Sequence, residues 1–137
     1  MTKFILIFLI FTSTILAETH VNEIMKVLKE IESRGNTNAI GDNGRAVGIL
    51  QMHKIAVREC NRLFGTTYTY EDRYDETCSE EMYTLLTTYG IARFIYKHGY
   101  YPNEAYIVRL WNFGLYQKQH ENGYYKKYLK EKCNETN

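Results

Sequence analysis

The sequence predicts a single compact α+β domain, mainly α-helical, with a small β-hairpin or loop after its first helix. Three observations predict it. Apolar residues recur at helical spacing from Val21 onward. A glycine- and turn-rich stretch, Asn36 to Leu50, interrupts that periodicity early in the chain. No internal repeat, linker or low-complexity run divides the rest, and about 120 residues are enough for one core.

The first seventeen residues read differently. Lys3 precedes an apolar run from Phe4 to Phe11, followed by Thr-Ser-Thr and Ile15-Leu16-Ala17. A charged start, a short apolar stretch and a small residue at a cleavage point predict a secretory signal over residues 1–17. The domain then spans 18–137, exported to a periplasm or the extracellular space. The run falls short of the roughly 18–20 apolar residues that cross a bilayer. The competing reading is an uncleaved anchor.

Thr19 is the expected N-cap of the first helix. At 100° per residue, Val21, Ile24, Met25, Leu28 and Ile31 share one face of it. Glu32 falls near the middle of that stripe, whereas Glu23 and Glu30 lie opposite, and Gly35 is the expected stop. Asp42-Asn43-Gly44, between Ala39-Ile40 and Ala46-Val47, signals a short hairpin. A second helix is expected from about His53 to Phe64, with Ala56, Val57, Cys60, Leu63 and Phe64 on its apolar face. Residues Gly65 to Thr77 read as a long surface connection. Thr77 with Glu80 forms a capping box, opening a helix striped by Met82, Leu85, Leu86, Tyr89 and Tyr96 and stopped near Gly99. Pro102-Asn103 opens the next, carrying Ala105, Val108 and Trp111 to Gly114. A last amphipathic helix runs from about Gly123 to Lys132.

Composition narrows the function. With Lys3 in the leader, 16 basic and 16 acidic side chains remain, a balance that argues against nucleic acid or an anionic membrane as the main partner. Cys60, Cys78 and Cys133 are too dispersed for a zinc cluster. An oxidising compartment would allow one pair to bridge, leaving an odd thiol, and the spacing does not choose the pair.

Glu32 is the candidate for chemistry. Burial disfavours its charged form, and so do the unpaired carbonyls at a helix C-terminus. A carboxyl group that keeps its proton near neutral pH is what a general acid requires. The plainer reading is a structural ion pair with Arg34 or Arg45.

Four signals follow one another: Glu32-Ser33, Gly48-Ile49-Leu50-Gln51, Trp111-Asn112-Phe113-Gly114 and Tyr124. Together they resemble the lytic transglycosylases of bacteria and phages and the related goose-type lysozymes, over essentially all of residues 18–137. The resemblance implies a lysozyme-like fold whose cleft binds glycan strands of peptidoglycan, with no metal and no cofactor. Glu32 would protonate the glycosidic oxygen between N-acetylmuramic acid and N-acetylglucosamine. It would then act as base on the C6 hydroxyl and close a 1,6-anhydro ring, without the usual second carboxylate. The resemblance assigns Ser33, Gln51, Asn112 and Tyr124 to substrate binding and support of the acid, with Tyr125 a rival to Tyr124. Trp111 and Phe113 depart from the family's tyrosine and alanine.

Asp42 is an extra carboxylate close to the acid in sequence. As a water-positioning base it would make the enzyme a hydrolysing muramidase; as a turn residue it would merely cap the hairpin. Asp72 and Asp75 are weaker choices for the same role. Rivals of another class are a non-catalytic glycan-binding module and a secreted helical interaction domain. A monomer is expected. Remodelling of its own wall, service to a secretion or conjugation machine, and service to a phage are not distinguished by sequence.

Overall fold

A computed structural model describes residues 2–115 and 123–135, with side chains for 18–115 and 123–134. The expected signal segment, residues 1–17, therefore lies outside the described side chains. The chain is mainly helical with one small antiparallel sheet, compatible with the α+β class. Helix α1 spans Thr2–Ser33, α2 Lys54–Phe64, α3 Glu76–His98, α4 Glu104–Phe113 and α5 Gly123–Glu135. Strands β1 (Ile40–Gly41), β2 (Ala46–Val47) and β3 (Met52–His53) lie between α1 and α2 in the order β1-β2-β3. Ile40 pairs with Val47, and Val47 with Met52. Among the described residues, no helix is long and apolar enough to cross a membrane.

Thr19 is not a cap. No proline or glycine interrupts residues 2–33, so the helix runs through it. The apolar stripe of α1 is buried as expected, with Ile24 and Leu28 fully enclosed and Glu23 and Glu30 exposed. Burying such an aliphatic side chain contributes about 1.5–3 kcal/mol. Val27 is buried too, because α3 and α5 both pack on α1. The helix ends in a left-handed turn at Arg34 (φ 55°) and Gly35 (φ 72°). There the Gly35 amide reaches back to the Lys29 carbonyl at 3.4 Å.

Two expectations about the middle of the chain are corrected. The N-cap of α3 is Asp75, whose carboxylate accepts the Cys78 amide at 2.8 Å, so Thr77 lies inside the helix. A carboxylate at the N-cap also meets the positive end of the helix dipole, which a threonine hydroxyl does not. The connection before it is not wholly on the surface. It carries a 3-10 turn, Glu71–Tyr74, whose Arg73 is 4% exposed. The Arg73 guanidinium donates to the carbonyls of Tyr70 (2.7 Å), Met52 (3.1 Å) and Arg45 (3.3 Å), tying the turn to the sheet. In α3 the buried stripe runs through Met82, Tyr83, Leu86 and Ile91, while Tyr96 is 95% exposed. Tyr96 thus lies on a face of α3 turned away from the core, while Phe94 two residues before it packs on Tyr100 and Tyr106.

Asn103 caps α4 by accepting the Tyr106 amide at 2.9 Å, and Gly99 and Gly114 end α3 and α4 as expected. No pair of cysteines bridges: Cys60, Cys78 and Cys133 all remain thiols. Cys60 is fully buried, points its sulfur at the Met82 carbonyl (3.6 Å), and has its ionisation pushed up to about 12 by burial.

Candidate active site

The last turn of α1 delivers Glu32 to a cleft of about 680 Å³. The sheet and its turns supply Asp42, Gln51 and His53 to its lining, α2 supplies Ala56 and Glu59, and the end of α4 supplies Trp111 and Asn112. Side chains expected from separate parts of the chain therefore line one space.

Glu32 itself is largely sequestered. Its carboxyl Oε1 accepts a hydrogen bond from the Tyr124 hydroxyl, brought across by α5. Burial pushes its proton affinity above the ordinary carboxylate range. The Tyr124 bond and the positive field of Lys127 oppose that shift without cancelling it. Burial and the adjacent carboxyl together push the Tyr124 phenol strongly upward, so it remains a donor. The alternative partners are engaged elsewhere or apart. Arg45 binds Asp42 at 2.7 Å, and Arg34 is exposed beyond the helix end. Between the two tyrosines the structure decides: Tyr124 meets Glu32, and Tyr125 turns toward Glu104 at 3.5 Å.

Ser33 does two things. Its hydroxyl donates to the Ile49 carbonyl at 2.7 Å and lies 3.3 Å from the Lys29 carbonyl of its own helix. It thus fastens the loop before β3 to the helix that carries the acid. Trp111 fastens the same loop from the other side, its indole N–H donating to the Leu50 carbonyl at 3.1 Å. Its ring meets Tyr83 edge-on at 5.1 Å. Trp111 thereby serves the loop. Gln51, in a left-handed conformation (φ 48°), donates its amide to the Gly48 carbonyl at 3.0 Å. One side of its amide is therefore spent on backbone. Asn112 is exposed on the cleft wall.

Asp42 shares the cleft but is held by its neighbours, with Arg45 on one oxygen and His53 3.5 Å from the other. Asp72 accepts the Thr69 amide and Asp75 caps α3, so both serve turns outside the cleft lining. Among the described residues, no group of three or more His, Cys, Asp or Glu could hold a metal ion.

The sequence reading missed Lys127. Its ammonium donates to the Ile31 carbonyl at 2.7 Å, beside Glu32. The signal was its position three residues after Tyr124, on the same face of α5. No protein-family model, curated protein or solved structure matches the chain.

Proposed function

We propose that this protein is an exported peptidoglycan lytic transglycosylase on a lysozyme-like fold, cleaving the β-1,4 bond between N-acetylmuramic acid and N-acetylglucosamine. One observation carries the reading. A carboxyl group with raised proton affinity stands at a sugar-sized cleft, oriented by a tyrosine hydroxyl from the far end of the chain. Such a group gives its proton to the glycosidic oxygen as the C–O bond breaks. The substrate's own N-acetyl group stabilises the oxocarbenium charge. The carboxylate left behind, stabilised by the Tyr124 hydroxyl, then takes the proton of the C6 hydroxyl. That oxygen closes on C1 to give the 1,6-anhydro product. No water enters the balance.

A hydrolytic version of the same chemistry is favoured by one fact, that Asp42 lines the cleft with Glu32. Its occupation by Arg45 makes it the second reading. The test is mass spectrometry of fragments released from purified sacculi by residues 18–137, with Glu32→Gln alongside. Anhydromuramic ends that vanish in the variant are expected. Reducing ends, heavier by one water, would assign a muramidase and make Asp42 the next residue to change. Binding with no release by either protein would leave a glycan-binding module.

A further inference from the structure

Glu32 is asked to occupy two states, a neutral acid and then a carboxylate base. Its surroundings mostly favour the first. It is largely sequestered, and it sits in the last turn of α1, where the negative end of the helix dipole opposes a negative charge. Around the cleft, Asp42 and Glu59 add like charges, although Arg45 and Arg62 engage them at 2.7 Å each. His53 is turned to Asp42, and Arg34 lies exposed past the helix end.

α5 brings the opposing group. The Lys127 ammonium donates to the Ile31 carbonyl at 2.7 Å, next to the Glu32 peptide. It thereby satisfies one of the carbonyls that a helix end leaves without an intrahelical partner. It also sets a positive charge where the dipole is negative. Tyr124, one turn earlier on α5, binds the Glu32 carboxyl itself. The two side chains clamp the end of α1, one on its backbone and one on its acid.

We propose that Lys127 is a positioning residue for Glu32, fixing the last turn of α1 and supplying the positive charge against which the carboxylate forms after its proton has left. The inference rests on the reading of Glu32 as acid and then base. Lys127 touches no substrate in this role and acts through Glu32.

The experiment follows the Glu32 carboxyl directly, by ¹³C NMR titration of glutamate-labelled protein, with the resonance assigned by its loss in Glu32→Gln. Wild type, Lys127→Met and Lys127→Arg are compared, together with turnover of sacculi across the same pH range. In Lys127→Met the Glu32 midpoint is expected to move to higher pH, and Lys127→Arg to return it toward wild type. Turnover in Lys127→Met is expected to fall about two- to fivefold, the size of one charge effect at a helix terminus. That fall should be in kcat rather than KM. An unmoved midpoint in a folded Lys127→Met protein overturns the proposal and leaves Lys127 as a helix tie only. If Lys127→Met does not fold, Lys127→Gln removes the charge and keeps an N–H donor, and the same two outcomes apply. The titration needs no catalysis, so a shifted midpoint in a protein that releases nothing from sacculi would refute the proposed function and keep the electrostatic role.

Discussion

Replacing Gly48 by alanine should unfasten the loop that frames the acid. Gly48 has φ +78°, a region that costs an alanine about 1–2 kcal/mol. An added methyl would also overlap the Arg73 carbonyl oxygen, with the carbonyl carbon 2.9 Å away. That carbonyl cannot simply retreat. It accepts the buried Ser79 hydroxyl at 2.9 Å, and the Arg73 side chain is anchored to three other carbonyls. Breaking the Ser79 bond adds about 1–3 kcal/mol. The sum, about 2–5 kcal/mol, is a large part of the stability of a domain this size. At roughly 4 °C per kcal/mol it lowers the melting temperature by about 8–20 °C. The assay is thermal unfolding followed by far-UV circular dichroism. Gly44→Ala is the control, because Gly44 has a similar φ (+85°) and no atom within 4 Å of an added methyl. It should show the backbone cost alone, about 4–8 °C. Equal losses in the two variants would refute the reasoning about Arg73. A Gly48→Ala protein melting within about 3 °C of wild type would refute all of it.

Glu32→Gln should abolish release of glycan fragments yet stabilise the fold at neutral pH. The folded protein holds the Glu32 proton over a range in which the unfolded chain, at the ordinary value of 4.5, has lost it. Wild-type stability therefore falls as pH rises from that value through the raised folded midpoint. The melting temperature of the variant should match wild type near pH 4 and exceed it above the midpoint, and a gain of equal size at both ends would contradict the assignment. Tyr124→Phe removes a donor that favours the carboxylate, so the Glu32 midpoint should rise further, read by the same carboxyl titration; a midpoint that fell would reverse the sign given to the bond. Trp111→Phe keeps an aromatic ring, smaller than the indole, but strands the carbonyl of Leu50, a fully buried residue. Thermal melts should show a loss of about 1–3 kcal/mol.

What sequence made legible was local. The stripe on α1, the inward turn of Glu32, the Asp-Asn-Gly hairpin and the glycine stops of α3 and α4 all follow from residues within a turn or two of one another. What it hid depends on how elements pack. Tyr124 and Tyr125 differ by 100° about one helix axis, and only the docking of α5 between α1 and α4 tells which faces the acid. Arg73 sits in a polar, acidic stretch that looks solvated. Its burial depends on three carbonyls, two of them in or beside the sheet. Tyr96 continues a helical stripe that the core does not continue. Thr77 and Asp75 compete for one cap two residues apart, and the charged side chain takes it.

The distance in sequence between Glu32 and its partner has a consequence of its own. Tyr124 lies 92 residues downstream. A chain that leaves a ribosome, or threads a membrane pore, from its N-terminus delivers the acid early and the helix that orients it late. A half-threaded chain holds Glu32 at a loose helix end, with neither the hydroxyl nor the ammonium that prepare it. Under the proposed function, arrival of α5 is then the arming step. Completion of the fold and onset of that activity would then be one event, because the acid gains its hydroxyl and ammonium partners only when α5 docks.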